Sequence, residues 1–215
     1  MCDYYPVYLK LKDKKCLVVG GGKVAERKVK ALVGCGAIVY VVSPVFTEWL
    51  EQAANEGEIT AISRNYTTTD LENAFLVIGA TDESQINTRV AEECLGRNIL
   101  VNIVDETAAC NFIVPAVLRQ GPLSISISTD GKSPMLARRI REELEHTFGP
   151  EYREFLDLMG NVREHVIRNV PEEETRRDMF CQLVYSDIIE LLRDGQHEKV
   201  KERIIHVLGS GWTKS

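Results

Sequence analysis

Residues 16–19, Cys-Leu-Val-Val, form a short apolar run that stops at three consecutive glycines, Gly20 to Gly22. A run of that length bounded by glycine reads as a buried strand meeting a tight turn. From Lys23 onward the period becomes helical, with Val24, Ala31, Leu32 and Cys35 on one face and Gly34 and Gly36 marking the stop. The alternation then repeats. A buried strand is expected over 37–42, ended by Ser43-Pro44. A helix over 48–56 turns Trp49, Leu50 and Ala53 inward, and a short strand follows over 59–62. A fourth strand over 75–78 leads through Ala80-Thr81-Asp82 into a helix over about 83–97, capped by Asp82 or Ser84, with Ile86, Val90 and Cys94 four apart; a fifth strand covers 100–104. Before all of these, residues 4–11 alternate Val7, Leu9 and Leu11 with Tyr8 and Lys10, which predicts an edge strand.

Strands alternating with helices through Asp105 predict an α/β fold, a Rossmann-like parallel sheet with helices on both faces. The rhythm then changes. Strand-like runs at 112–118 and 123–129 flank the turn Arg119-Gln120-Gly121-Pro122 and are expected to pair antiparallel. Ser133-Pro134 supplies a cap and a first-turn proline for a helix over 135–148, which Gly149-Pro150 breaks. Helical patterns over 152–168, 172–193 and 198–208 complete the chain, separated by Pro171 and Gly195. The expected domains are therefore 1–113, Rossmann-like and nucleotide-binding; 114–148, a small central strand and helix unit; and 149–215, helical.

Composition narrows the class. The chain has 215 residues and a formal net charge of −6, which argues against a general nucleic-acid binder. No apolar run approaches membrane-spanning length, and the first residues lack the basic and apolar regions of a signal peptide, so a cytoplasmic location without membrane association is expected. The six cysteines are scattered without a C-x-x-C pair and the four histidines show no ligand spacing, so reduced thiols and no metal site are expected.

The glycine triplet carries the first chemistry. In a G-x-G-x-x-G/A pattern, Gly20 allows the sharp exit from the strand, Gly22 lets a phosphate approach the backbone, and Ala25 is small enough for close packing. The helix N-terminus that follows suits a pyrophosphate; a purely structural turn is the competing reading. An acid about twenty residues further on often binds the ribose of NAD. Here that place holds Ser43, Pro44 and Val45, with no adjacent arginine to favour a 2′-phosphate. Thr81 and Asp105 follow the fourth and fifth strands, whose carboxyl ends face the ligand crevice in such sheets. Asp105 is the candidate for proton transfer, or else an exposed loop carboxylate. Ser124, Ser126 and Ser128 alternate with apolar residues on one strand face, either solvated or lining a polar pocket. Lys132 and Arg138, with Arg139 and Arg141, surround the next helix start, a candidate carboxylate site or a face paired with Glu142, Glu143 and Glu145. His146 is a second acid/base candidate or a helix-terminal charge.

These residues, taken in order, resemble the precorrin-2 dehydrogenases, including the N-terminal module of siroheme synthases. The likeness runs through Tyr5-Pro-Val-Tyr-Leu9, Val19 to Lys28, Ala80-Thr-Asp82 with Asn87, Val101 to Asp105, Phe112 to Pro115, and Gly131-Lys-Ser-Pro134 leading to Leu136-Ala-Arg138. The resemblance implies NAD-dependent oxidation of precorrin-2 to sirohydrochlorin, for siroheme or cobalamin, by an intertwined homodimer. It further implies that Asp105 is the important carboxylate and that Lys23, Val24, Pro44 and Val45 contact the cofactor. Some members of the family also insert ferrous or cobaltous ion. A bifunctional dehydrogenase and ferrochelatase, and a nucleotide-sensing domain without chemistry, are the alternatives. Precorrin-2 bears eight carboxylates, for which the serines, Lys132 and Arg138 offer a plausible surface.

Overall fold

In the computed structural model, which describes residues 4–209, the chain divides into two compact units between residues 114 and 115. The first holds strands β1 (Lys15–Val19), β2 (Ile38–Ser43), β3 (Thr60–Ser63), β4 (Leu76–Gly79) and β5 (Leu100–Ile103), with helices α1 (Lys23–Val33), α2 (Glu48–Asn55) and α3 (Ser84–Leu95). The strands form one parallel sheet in the order β3-β2-β1-β4-β5. Strand order reverses at β1, which lies between β2 and β4, so the chain leaves its carboxyl end at the point where open α/β sheets hold ligands. Val19 sits opposite both Val42 and Gly79, bringing three strand ends level. One apolar layer packs α1 and α2 on one face of the sheet, with Val18, Ala25, Val29 and Leu50 in its core. The other packs α3, with Val90 and Cys94, against Val19, Val77 and Val101.

Three local expectations are corrected. Residues 4–11 form no strand, because β1 already pairs with β2 on one side and β4 on the other and offers no free edge to a strand just before it. The inward face of α1 is Ala25, Val29 and Leu32, whereas Val24 and Ala31 are exposed. Residues 112–115 precede the sixth strand rather than opening it. The Asn111 side chain accepts from Val101 N (2.7 Å) and donates to Ile99 O (2.9 Å), and Asn102 donates to Phe112 O (3.1 Å), so this stretch lies along the β5 edge. Pro115, which has no N–H to give a ladder, then precedes the strand.

The second unit holds β6 (Ala116–Gln120) and β7 (Leu123–Ile127), paired antiparallel, then α4 (Pro134–Thr147), α5 (Glu151–Asn169), α6 (Glu173–Val184), α7 (Ile188–Arg193) and α8 (His197–Leu208). Ser133 caps α4, accepting from Leu136 N at 3.3 Å. Phe155, Leu158, Val162 and Val166 of α5 meet Leu183, Ile188, Leu192 and Ile204 in a separate core. The single helix expected over 172–193 is two. Ser186 Oγ donates to Leu183 O (2.7 Å) and accepts from Ile188 N (3.3 Å), and this local bonding replaces helical hydrogen bonds at the break. Among the described residues no helix is long and apolar enough to cross a membrane.

Candidate nucleotide-binding site

The three glycines act in three ways. Gly20 has φ +119°, a conformation side-chain-bearing residues rarely adopt, and a Cβ there would overlap the Ala80 carbonyl. Gly21 supports the opposite wall: its Cβ would overlap the Val45 carbonyl and lie 2.9 Å from Ser43 Oγ. Only Gly22 faces open space, with nothing within 4 Å of an added Cβ. It is also the N-cap of α1, without a side chain to satisfy the helix. The first helical bond runs from Glu26 N to Gly22 O, so the N–H groups of Lys23, Val24 and Ala25 have no helical partner. A bare cradle at a positive helix end fits a pyrophosphate.

This cradle opens into a cavity of about 490 Å³ whose walls are Gly20 to Val24, Ser43 to Thr47 and Ala80 to Glu83. Of the expected cofactor residues, Gly20, Gly22, Lys23, Val24, Ser43, Pro44, Val45 and Thr81 lie on it, while Ala25 is fully buried beneath, in the helix-to-sheet contact. The sequence reading missed Gly21, whose requirement comes from the Ser43 to Val45 turn. It also missed Phe46, Thr47 and Glu83, whereas Asp82 lies on the wall as expected of the segment after the fourth strand. Ser43 donates its hydroxyl proton to Val45 O at 2.7 Å, so it faces the cavity as an acceptor and shapes the turn. Thr81 Oγ1 accepts from Glu83 N (3.1 Å), and Asn87 Nδ2 donates to Thr81 O (2.8 Å), fixing the third wall.

Beneath the cradle, the buried Glu26 carboxylate accepts from Lys30 at 2.6 Å and from Lys23 at 3.1 Å. Lys30 in turn lies 4.4 Å from the Trp49 ring centroid, tying α1 to α2. Hydrogen bonds from Lys30 first, then Thr47, with Lys23 adding, pull Glu26 from 4.5 down to about 2. Folding therefore favours its ionised form. That contribution is complete above about pH 4.5 and is lost as pH falls toward 2. Thermal midpoints measured from pH 6 to pH 2.5 are expected to fall through this window. Glu26→Gln is expected to be less stable at pH 6 and to show a shallower fall; parallel curves for the two proteins would remove Glu26 from the acid sensitivity.

The remaining candidates lie elsewhere. Asp105 is exposed on the loop after β5, in the left-handed conformation (φ +62°), and is not on the cavity wall. That loop is pinned by Cys110, whose thiol accepts from Ile103 N at 3.1 Å and lies 3.2 Å from Glu106 O. In the second unit, Ser124 and Ser126 are on β7 and Ser128 lies past its end, accepting from Asp130 N at 3.1 Å. Lys132 is exposed. Arg138 and Arg139 each pair with a glutamate four residues on, at 2.8 Å, and Arg141 pairs with Glu145. His146 is exposed in the last turn of α4. Among the described residues no group of three or more His, Cys, Asp or Glu is placed to hold a metal ion.

Known proteins give the cavity a context. Residues 7–116 match the family described as "Putative NAD(P)-binding", residues 120–147 match "Sirohaem biosynthesis protein central", and residues 151–208 match "Sirohaem synthase dimerisation region". Siroheme synthase of Photobacterium profundum is 34% identical over 97% of this chain, and that of Methylobacillus flagellatus is 37% identical over 94%. The chain spans 44% of each of these relatives. Among solved structures, "SirC, precorrin-2 dehydrogenase" superposes with a TM-score of 0.82 at 26% identity, covering 95% of this chain and 98% of that one. The cavity and the first match agree on an NAD(P)-binding domain.

Proposed function

The chain belongs to the sirohaem synthase family, and from that premise we propose that it catalyses the NAD-dependent dehydrogenation of precorrin-2 to sirohydrochlorin. The observation that carries this reading is the end-to-end likeness to SirC, precorrin-2 dehydrogenase, together with a phosphate cradle at the switch point of the sheet. When bound, the nicotinamide cofactor supplies the acceptor for a hydride. The chain's part is to hold it, with the N–H groups of Lys23, Val24 and Ala25 for the pyrophosphate and the turns at Ser43 to Val45 and Thr81 as walls. Removing a hydride from precorrin-2 leaves a cation that becomes neutral and conjugated by losing a proton. Asp105 accepts that proton, directly or through water. Because conjugation drives the loss, an ordinary carboxylate is a strong enough base, provided that it is well placed. Ser124, Ser126, Ser128, Lys132 and Arg138 are proposed to meet the substrate's acid side chains, with His146 as a second acid/base group.

NAD is favoured over NADP on charge. The cavity wall offers two carboxylates, Asp82 and Glu83, and one lysine, Lys23, whose ammonium already binds Glu26 at 3.1 Å. A further phosphate dianion would find no uncommitted cation there. The match of residues 151–208 to a dimerisation region supports a homodimer. Likeness to siroheme synthases supports a second reading, in which ferrous or cobaltous ion is inserted into the product.

Purified protein incubated anaerobically with precorrin-2 is expected to form one NADH per sirohydrochlorin, with NAD preferred over NADP at least about tenfold in kcat/KM. Absence of both NADH and NADPH, each from its own oxidised cofactor, would sink the dehydrogenase reading and favour nucleotide sensing without chemistry. Adding metal ion then decides the second reading, which fails if insertion is no faster than without protein.

A further inference from the structure

Lys28 stands one helical turn after Val24, on the same side of α1, and Val24 lines the cavity. The loop after β5 lies beside it. Val104 and Phe112, which flank that loop, pack on the same core as Ala25 and Val29 of α1. Burial is the largest influence on the Lys28 ammonium and pushes its pKa down, with Arg27 adding to the effect; the neighbouring Asp105 and Cys110 oppose it. The lysine is thus half-buried in a small cluster with Asp105 and Cys110.

What sets Lys28 apart is that it lacks a hydrogen-bonded or ion-paired partner. Among the described residues it is the half-buried lysine or arginine that makes neither a hydrogen bond nor an ion pair. Lys15, Arg141 and Arg176 are comparably covered, and they hold Asp70 O, Glu145 and Val170 O respectively. Withdrawing an ammonium from water without a partner is unfavourable, and a long side chain on an exposed helix face can ordinarily swing its head back into solvent. An anion arriving beside Asp105 would complete the group.

We infer that Lys28 is a substrate-binding residue that pairs with a carboxylate of the polycarboxylate substrate next to Asp105. The inference rests on the dehydrogenase reading, since a tetrapyrrole carrying acid side chains is the ligand that brings carboxylates to this loop. It assigns substrate contact to the first unit. Lys28 would hold one edge of the macrocycle while Asp105 takes a proton from it.

The test uses the full chain with Lys28→Met, which keeps the apolar stem, and Lys28→Arg, which keeps the charge. Sirohydrochlorin binding is measured anaerobically by absorbance titration, beside NAD binding, thermal midpoint and steady-state kinetics with precorrin-2. Lys28→Met is expected to bind sirohydrochlorin about tenfold more weakly and to raise KM for precorrin-2 similarly. Lys28→Arg is expected to stay within about threefold of wild type. NAD affinity should not move in either. The thermal midpoint of Lys28→Met should be equal or higher, because an unpaired half-buried charge is removed. Unchanged sirohydrochlorin affinity in Lys28→Met overturns the inference, as does a fall in kcat alone, which would assign Lys28 to the field around Asp105. Wild-type protein that binds no sirohydrochlorin also overturns it. If wild type forms NADH while Lys28→Met binds normally, the inference alone fails; if wild type forms none, the dehydrogenase reading fails, and the titration still reports on Lys28.

Discussion

Asp105→Asn is expected to oxidise precorrin-2 at least ~100-fold more slowly than wild type while binding NAD with unchanged affinity. The choice of asparagine follows from the backbone. Asp105 lies at φ +62°, in the left-handed region that aspartate and asparagine tolerate and alanine does not. Asparagine therefore removes the proton acceptor and keeps the loop, whereas Asp105→Ala mixes chemical loss with backbone strain of about 1–3 kcal/mol. The loop has its own supports in Cys110, which engages Ile103 N and Glu106 O, and in Asn111, which bridges Val101 N and Ile99 O. A side-chain change at 105 leaves all of these in place. Asp105 is also outside the cavity wall, so the cofactor should not register its loss. Steady-state kinetics and NAD titration on the same preparations separate the two effects. Wild-type turnover in Asp105→Asn would remove Asp105 from the mechanism, and reduced turnover in Asp105→Ala alone would reassign it as a loop-shaping residue.

The sheet and the glycine turn are legible in the sequence because local signals and tertiary demands coincide there. An apolar run ending in glycine, followed by a helical period, specifies strand, turn and helix without knowledge of what packs on them. The reading failed where the deciding partner lies far along the chain. The glycine pattern gives Gly21 no role beside Gly20 and Gly22, yet the turn at Ser43 to Val45 rests on it. Val24 and Ala31 looked like the core face of α1, but Val24 lines the cavity and Ala31 is exposed, while Ala25, Val29 and Leu32 face the sheet. Residues 4–11 have strand-like alternation, but β1, the strand they precede, has no free edge. Lys28 carried no pattern of its own; only the packing of α1 beside the loop after β5 distinguishes it from the exposed Arg27 next to it.

Gly21→Ala and Gly22→Ala are expected to abolish cofactor binding by opposite routes, and the contrast tests the cradle more sharply than either alone. In Gly21→Ala the new methyl overlaps the Val45 carbonyl and approaches Ser43 Oγ to 2.9 Å. Either the turn after β2 moves away, opening one cavity wall, or the start of α1 shifts, and both disturb the folded state without any ligand. A loss of about 1–3 kcal/mol in stability is the expected size, because overpacking against backbone cannot be relieved by a side-chain rotation. In Gly22→Ala the methyl meets nothing within 4 Å, so the unliganded fold loses no more than the ~1 kcal/mol of a weakened N-cap. The same methyl stands in the open space at the start of α1, where the pyrophosphate is proposed to sit. Both variants should therefore bind NAD at least ~100-fold more weakly, which corresponds to about 2.7 kcal/mol. Without NAD, the thermal midpoint of Gly21→Ala should fall further than that of Gly22→Ala, in proportion to its larger loss of stability. Calorimetric melts with and without NAD read both quantities in one experiment. Near-normal NAD stabilisation of Gly22→Ala would place the phosphates elsewhere and would leave the open space over Gly22 without a role.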